Sequence, residues 1–289
     1  MISIPKKDIN LYDTIFSGQT FRMTLESDKS ITLILSDRII NIKENNKCLL
    51  IESNNEDNLE NIIKEYLDLK RDYNKINDYL VSIDNNLKKD IEKCKGYKIL
   101  KQDKFEMFIS YIISQNNNVK RITKIINNLS EHYGKKVIFK NKEYYLFPTY
   151  NELKDITLDE LKTLGLGFRD KYVYDALNKL KENKNFLDDL EKLSTEESLK
   201  ELMSIKGIGL KVASCILLFA YSRFDTYPID TWVKQYISSH YNIKNDINSI
   251  SKYIKSQYNQ YSGLVIQYFY HIERNKKDWT LYKNVLKLN

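Results

Sequence analysis

The chain has 289 residues, 42% of them hydrophobic and 29% charged, which excludes a disordered chain and allows one large core or two smaller ones. No stretch of the sequence is long and apolar enough to span a membrane, so we expect no membrane partner. The net charge of +7 lies entirely after residue 100, because residues 1–100 carry 16 Lys+Arg and 17 Asp+Glu while residues 101–289 carry 30 and 22. A basic second part fits a polyanionic partner. Charge alone, however, favours the interpretation of an ordinary solvated surface.

Short β-rich segments separated by breakers fill the first 50 residues. We predict four strands, at Gln19–Leu25, Ile31–Leu35, Arg38–Lys43 and Lys47–Glu52. A hairpin turn is expected at Ser36 and Asp37. After residue 54 the apolar residues follow helical spacing, so helices follow the strands.

From about residue 101 onward the pattern predicts an almost wholly helical chain. Apolar residues recur three and four positions apart from Phe105 to Ile113 and again from Ile122 to Leu129. Capping-box patterns, in which Glu follows Ser or Thr by three positions, mark further helix starts after Thr149, Thr157 and Ser194. The sequence therefore predicts an α+β protein, with an antiparallel sheet domain with helices at 1–100 and a mostly helical domain at 101–289.

The segment from 199 to 232 carries most of the functional information. One helix is predicted to end near Ser204 and the next to begin near Leu210, joined by a tight connection that contains Gly207 and Gly209. Two glycines allow backbone angles closed to other residues and leave amides uncovered, and the unpaired amides at the start of a helix favour an anion. We interpret the connection as a phosphate seat; an ordinary turn between two helices is the alternative.

Lys211 is the second residue of the second predicted helix, next to this seat. Cys215 and Phe219 follow on the same side of the helix at i+4 and i+8. The positive helix end and partial burial are expected to lower the pKa of the Lys211 amine, which favours the neutral form that nucleophilic attack needs. Taken alone, a surface lysine that contacts phosphate is an equally good interpretation.

Asp230 follows Lys211 by 19 residues and comes directly after Pro228 and Ile229. Because Pro228 forces an extended approach, we predict that Asp230 caps the next helix and that the cap holds its carboxylate ionised. A fixed carboxylate near a sugar stabilises positive charge at the anomeric carbon, whereas a purely structural cap is the alternative. The spacing from Lys211 favours the functional interpretation.

These residues resemble the helix-hairpin-helix DNA glycosylases that use a catalytic Lys and Asp. Four further motifs are similar to those of the eukaryotic-type 8-oxoguanine DNA glycosylase/AP lyases: SGQTFR at 17–22, SQNNNVKR at 114–121, LGLGFR at 164–169 and YSG at 261–263. The resemblance covers nearly the whole chain. It implies a TBP-like sheet domain, a helical glycosylase domain, an active site in the cleft between them, and base excision repair of double-stranded DNA that contains 8-oxoguanine, preferably opposite cytosine.

The resemblance also implies roles for single residues. Lys211 would displace the damaged base and form a Schiff base, through which β-elimination nicks the strand, and Asp230 would stabilise the oxocarbenium-like transition state. Gly18 would recognise the lesion, because its carbonyl accepts a hydrogen bond from an N7–H that guanine lacks. The rest of the base pocket would be formed by Cys215, Phe219, Pro228, Ile266 and Tyr270.

On the DNA, the resemblance implies that Asn116 fills the space left by the extruded base. Arg121 and Arg169 would read the orphaned cytosine, and Phe168 would wedge beside it. Contacts with phosphate would come from Gly207, Gly209, Val212 and Trp232.

No cofactor is implied. Three distant cysteines and three histidines predict no side-chain metal site, although family members bind a cation through hairpin carbonyls, here those of Met203, Ile205 and Ile208. Free cysteines and the lack of a signal peptide predict a reducing, cytoplasmic location on the nucleoid of a prokaryote, and family analogy implies a monomer.

Some positions depart from the family pattern. Ile266 stands where the family commonly has a Gln that binds the Watson–Crick edge of the base. Trp232 replaces a His, Phe219 replaces a Met, and Tyr270 replaces a Phe whose ring stacks on the base.

Other functions are left open. A non-catalytic helix-hairpin-helix DNA-binding module needs only the hairpin amides, and a monofunctional alkylpurine glycosylase has a similar sheet domain but lacks the nucleophilic Lys. An endonuclease III-type enzyme normally carries a four-cysteine iron–sulfur cluster near its C-terminus, whereas no cysteine follows Cys215 here.

Overall fold

The computed structural model describes the backbone of residues 1–287 and the side chains of residues 1–276. Its first part contains the strands β1 Ile2–Pro5, β2 Met23–Leu25, β3 Ile31–Ile34, β4 Ile39–Glu44 and β5 Cys48–Ser53. They form one antiparallel sheet in the order β1-β5-β4-β3-β2. Each of the four predicted segments overlaps a strand, and β1 adds an edge that lies outside the predicted segments.

The turn predicted between the second and third segments is confirmed. The Leu35 amide donates a hydrogen bond of 2.8 Å to the Arg38 carbonyl, which closes the turn at Ser36 and Asp37. This turn sets the register of β3 and β4, in which Ile34 lies opposite Ile39.

The helices fall into two groups along the chain. Those of the first part are α1 Leu11–Ile15, α2 Leu59–Tyr66, α3 Tyr73–Ile83 and α4 Leu87–Lys93. Those of the second part are α5 Lys104–Ile113, α6 Val119–Tyr133, α7 Tyr150–Leu153, α8 Leu158–Thr163, α9 Asp170–Glu182, α10 Phe186–Asp189, α11 Thr195–Met203, α12 Leu210–Tyr221, α13 Thr231–His240, α14 Ile247–Tyr258 and α15 Ser262–Lys287, with short 3-10 turns at Gly167–Arg169, Leu190–Lys192 and Asn259–Tyr261. The three predicted capping boxes are present, at the starts of α7, α8 and α11.

The second part is mostly helical, as predicted, and it also contains one hairpin that the sequence analysis did not predict. Two strands, β6 Lys136–Phe139 and β7 Lys142–Tyr145, form a separate hairpin. Its two turn residues, Lys140 and Asn141, both have positive φ, of 48° and 60°, which matches the twist of a two-residue hairpin turn. The turn contains no Gly, so the usual sequence signal is missing.

The side chains of residues 1–276 form two hydrophobic cores. The sheet packs on α1 and α2, whereas α3 and α4 contribute Tyr73, Leu80 and Leu87 to the large core of the helical part. The division of the chain near residue 100 stays a proposal. The last helix, α15, joins both parts, because Tyr268 packs edge-to-face on Tyr97 at 6.1 Å.

Candidate active site

The hairpin between α11 and α12 begins and ends where the sequence predicts, with Ser204 as the C-cap of α11 and Gly209 as the N-cap of α12. Gly207 has φ +86°, a conformation that favours glycine. Gly209 has φ −94°, which any residue adopts, so the expectation that both glycines serve the backbone angle is wrong at Gly209. Within the described part of the chain no side chain caps α12, so its first amides point to a ligand or to water.

Lys211 lies in the first turn of α12 and is half-buried. Its amine is close enough to the thiol of Cys215, one turn further on, for the two groups to interact. Its Nζ atom lies 5.7 Å from the centroid of the Tyr111 ring, which stacks on Phe219 at 5.4 Å with an interplanar angle of 12°. One side of α12 and the Tyr111 ring of α5 thus form the surroundings of the amine.

The pKa of Lys211 is shifted opposite to the expectation. Burial lowers the pKa of the amine, but its interactions with Cys215 and Asp230 raise it by more, and the net shift is upward. Burial likewise raises the pKa of the Cys215 thiol, although the nearby Lys211 charge lowers it. An amine whose pKa is raised carries a proton at neutral pH, and it must lose that proton before it can act as a nucleophile.

Asp230 caps α13 as predicted. Its carboxylate accepts a hydrogen bond of 2.9 Å from the amide of Val233. Burial raises the pKa of the carboxyl, while the Val233 amide and the Lys211 charge lower it, and the net shift is upward. The effect of burial is thus larger than that of the cap, and the expectation that the cap holds the carboxylate ionised stays a prediction.

The loop around Gly18 is fastened by the next residue, Gln19. The Gln19 side chain donates a hydrogen bond of 2.8 Å to the Lys98 carbonyl and accepts one of 2.9 Å from the Leu100 amide. The Gln19 carbonyl accepts a further bond of 2.8 Å from the Gln102 side chain. These bonds fix the loop against the segment that leads into α5, so the first part of the chain supplies a rigid wall of the site.

Gly18 lies against α15. It has φ +89°, and a Cβ atom added there would come within 3.1 Å of the Tyr270 hydroxyl and 3.0 Å of the Arg274 guanidinium. Burial raises the pKa of the Tyr270 hydroxyl, and the nearby charges of Asp230 and Lys211 also act on that pKa. The structure therefore brings Gly18, Tyr270, Lys211 and Asp230 together, although they are far apart in the sequence.

Other predicted pocket residues belong to the surrounding core. Cys215, Phe219 and Pro228 are buried, and Ile266 is fully buried one helical turn before Tyr270. Val212 is likewise buried in the first turn of α12, and Trp232 is half-buried in the first turn of α13.

A second group of predicted residues gathers between α5 and α9. Asn116 is exposed and has φ +44°. Arg169 is buried and donates hydrogen bonds to the carbonyls of Gln115, at 2.7 Å, and Asn116, at 2.8 Å. Its Cζ atom lies 4.4 Å from the centroid of Phe168, whose ring is 53% exposed.

Arg121 differs from Arg169 in its exposure. It lies at the exposed start of α6, beside the same turn, where a Cβ atom added to Gly167 would be 3.5 Å from Arg121 and 3.9 Å from Arg169. The two guanidinium groups therefore border one glycine, but Arg121 faces solvent while Arg169 is engaged with backbone carbonyls.

Sequence reasoning missed three residues at the site. Tyr111 was hidden in an apolar helical stripe, Tyr172 lies one turn after Phe168, and Arg274 lies one turn after Tyr270. For Tyr172 and Arg274, the helical spacing from a motif residue was the available signal.

The described part of the chain has no cluster of metal-ligating side chains and no membrane-spanning helix. No group of three or more His, Cys, Asp or Glu side chains there could hold a metal ion. No helix in that part of the chain has both the length and the apolar character needed to cross a bilayer. At the hairpin, the Ile205 carbonyl accepts a hydrogen bond of 3.0 Å from the Ile208 amide.

Both parts of the chain match models of known protein families. Residues 1–108 match the family model of the 8-oxoguanine DNA glycosylase N-terminal domain, and residues 109–256 match that of the HhH-GPD superfamily of base excision DNA repair proteins. The chain is 33% identical over 148 residues to N-glycosylase/DNA lyase OGG1 of Arabidopsis thaliana, a match that spans 49% of this chain and only 40% of that relative.

Solved structures resemble almost the whole chain. The structure of MBOgg1 in complex with a low-affinity DNA ligand has a TM-score of 0.88 and 33% identity, over 96% of this chain and 99% of that one. The Clostridium acetobutylicum 8-oxoguanine glycosylase/lyase, in complex with double-stranded DNA containing cytosine opposite 8-oxoguanine, has a TM-score of 0.88 and 32% identity, over 96% and 98%. The predicted α+β architecture and the family resemblance are confirmed, and the chain belongs to the 8-oxoguanine DNA glycosylases of the HhH-GPD superfamily.

Proposed function

We propose that this chain is a bifunctional DNA glycosylase, which excises 8-oxoguanine and then nicks the strand at the abasic site. The observation that carries the proposal is the convergence of an amine, Lys211, and a helix-capping carboxyl, Asp230, on Tyr270 and the Gly18 loop. An amine and a carboxylate side by side are what displacement of a base by a lysine needs.

The chemistry follows from these two groups. After Lys211 loses a proton, its nitrogen forms a bond to C1′ of the damaged nucleotide as the C1′–N9 bond breaks, and the base leaves with the electron pair. The Asp230 carboxylate stabilises the positive charge that develops at C1′ and O4′. Opening of the sugar gives a protonated Schiff base; loss of a C2′ proton then expels the 3′ phosphate and nicks the strand.

Recognition of the lesion is proposed for Gly18. Its carbonyl would accept a hydrogen bond from the N7–H of 8-oxoguanine, whereas guanine would present an acceptor to it. One such mismatch contributes about 1–3 kcal/mol of discrimination when it is buried. Cys215 and the Tyr270 ring would pack on the two faces of the base, with Phe219, Pro228 and Ile266 forming the apolar surroundings.

Extrusion of a base costs a few kcal/mol, so the enzyme must stabilise the distorted duplex. Asn116 would fill the vacated space, and the exposed ring of Phe168 would wedge beside the orphaned cytosine. Arg121 and Arg169 would favour cytosine at that position.

The phosphate backbone would bind at the start of α12 and near Trp232. The amides of Gly207, Gly209 and Val212 lie there, and a cation held by the carbonyls of Met203, Ile205 and Ile208 would stabilise the hairpin. We also propose that the protein acts as a monomer, on the nucleoid DNA of a prokaryotic cytoplasm.

The competing functions make different demands on the same site. A DNA-binding module without catalysis, or a monofunctional alkylpurine glycosylase, has no need for Lys211. The test is therefore to incubate the protein with a duplex containing 8-oxoguanine opposite cytosine in the presence of borohydride, which reduces a Schiff base to a stable adduct.

Wild-type protein is expected to give a covalent adduct with the damaged duplex and none with the undamaged duplex. The Lys211→Gln variant should give no adduct, whereas Lys200→Gln, at an exposed position on α11, is a matched control that should behave like wild type. Tight binding to damaged DNA without an adduct in the wild type would contradict the lyase activity.

A further inference from the structure

Tyr172, in the first turn of α9, contacts two separate parts of the DNA-binding surface. Its ring packs edge-to-face on Phe168, with the centroids 5.9 Å apart and an interplanar angle of 78°. Its other contact is Gly207 in the hairpin, where an added Cβ atom would come within 2.6 Å of three Tyr172 ring carbons. One half-buried ring therefore lies between the exposed wedge and the turn that precedes α12.

We propose that Tyr172 is a positioning residue, which fixes the distance between the Phe168 wedge and the phosphate seat of the hairpin. This inference rests on the proposed function, in which both groups hold the same DNA. The hairpin would bind the backbone of the damaged strand, while Phe168 would enter the stack beside the orphaned base. Both contacts form together only if the protein holds the two groups at one fixed separation.

The physical reason is preorganisation. Phe168 is more than half exposed and lies in a short 3-10 turn, so it has few contacts to hold its ring. The Arg169 guanidinium lies over that ring at 4.4 Å, and Tyr172 contacts it at an angle of 78°. Without the Tyr172 ring, Phe168 would have to be ordered at the moment of insertion, at a cost in conformational entropy.

The second contact explains the glycine in the hairpin. Gly207 has φ +86°, and its Cα lies directly against the ring of Tyr172. The atoms of Tyr172 nearest to Gly207 are ring carbons rather than the hydroxyl oxygen. A phenylalanine at position 172 should therefore preserve both contacts, whereas an alanine should lose both.

The test measures single-turnover excision from two duplexes, one with 8-oxoguanine opposite cytosine and one with 8-oxoguanine opposite an abasic-site analogue. The second duplex has no orphaned base and weaker base stacking, so excision from it depends less on the insertion of Phe168. Tyr172→Ala is expected to slow excision about tenfold on the first duplex and less than about threefold on the second. Tyr172→Phe should match wild type on both.

Two further variants separate positioning from general stability. Tyr174→Ala removes a half-buried tyrosine from the same helix and should leave the ratio of the two rates unchanged. Adding Tyr172→Ala to Phe168→Ala should slow excision no further, because the wedge that Tyr172 positions is already absent.

An equal loss on both duplexes, or effects of Tyr172→Ala and Phe168→Ala that multiply, would overturn the role of Tyr172. A wild-type protein that excises nothing from either duplex would instead overturn the proposed function on which this role rests.

Discussion

The buried guanidinium of Arg169 donates a hydrogen bond of 2.8 Å to the backbone carbonyl of Asn116. Asn116 has φ +44°, a left-handed conformation that is unfavourable for residues other than glycine, although Asn tolerates it better than most. Because the same guanidinium lies over the ring of Phe168, one buried side chain arranges both the proposed plug and the proposed wedge. Arg169 therefore has a structural role, because its guanidinium binds backbone carbonyls, whereas Arg121 is exposed.

The two arginines are therefore predicted to differ when each is replaced by alanine. Arg121→Ala should lower the preference for cytosine over other opposite bases about tenfold and leave the thermal stability nearly unchanged, because Arg121 is exposed. Arg169→Ala should also lower the cytosine preference, but in addition it should slow excision opposite every base and destabilise the protein by about 1–3 kcal/mol, because the buried guanidinium and its hydrogen bonds to the Gln115 and Asn116 carbonyls are lost. Excision opposite each of the four bases, together with thermal unfolding, measures both effects. A normal melting temperature for Arg169→Ala, with only the cytosine preference lost, would contradict this division.

The negative charge of Asp230 and its role as a helix cap can be tested separately by substitution. Asn caps a helix as well as Asp does, so Asp230→Asn should keep the bond to the Val233 amide and unfold at the same temperature as wild type, or higher. Asp230→Ala should lose the cap and about 1 kcal/mol of stability. Both variants should lose excision by a factor of about 100 or more, because neither has a carboxylate near C1′. Activity of the Asn variant close to wild type would show that Asp230 is only a structural cap.

The raised pKa of Lys211 predicts how the rate depends on pH. The amine is protonated at neutral pH, so the fraction in the neutral, reactive form rises as the pH increases toward its pKa. The single-turnover rate of base excision should then increase with pH between about 6 and 9, by up to about tenfold per unit. Measurement with DNA at saturation and constant ionic strength keeps binding out of the profile. A rate that is flat over this range would mean that DNA binding removes the proton from Lys211.

How much of this site the sequence could predict depends on whether a feature is local. The hairpin, the position of Lys211 in the first turn of α12 and the cap at Asp230 are each set by residues within a few positions, and all were predicted. The strands β2 to β5 also follow from local alternation and turn residues. The β6–β7 hairpin was missed, because Lys140 and Asn141 adopt positive φ without a glycine to signal it.

Features that depend on tertiary contacts could not be predicted. Besides the nearby Leu166 carbonyl, Arg169 binds the carbonyls of Gln115 and Asn116, which lie more than 50 positions earlier. Tyr172 contacts Gly207 across 35 positions. The direction of the pKa shift at Lys211 depends on the balance between burial and the nearby Cys215 and Asp230, and a sequence gives no measure of either.

A buried carboxyl outside the site, that of Glu106, predicts a loss of stability with rising pH. Burial raises the pKa of Glu106 from 4.5 to about 7, although the nearby Arg22 lowers it. The folded protein therefore holds a proton that the unfolded chain releases near pH 4.5, and the stability due to that proton is lost as the pH rises through 7. The loss is on the order of 3 kcal/mol, from about 1.4 kcal/mol per pKa unit. Thermal unfolding at pH 5 and pH 8 should show a larger drop for wild type than for Glu106→Gln, whereas parallel drops would contradict the assignment.

Replacement by alanine is predicted to affect stability at Gly207 but not at Gly209, because only Gly207 has a positive φ. Gly207→Ala should destabilise the protein by about 2 kcal/mol or more, because it combines a positive φ with a clash against the Tyr172 ring. Gly209→Ala should leave the melting temperature nearly unchanged, since φ is −94° and a Cβ atom there would have nothing within 4 Å among the described residues. It should nevertheless weaken binding to DNA, because a methyl group would then stand among the amides that bind phosphate. Thermal unfolding and DNA affinity at a fixed salt concentration measure the two effects separately. Wild-type affinity in Gly209→Ala would place the phosphate away from the start of α12.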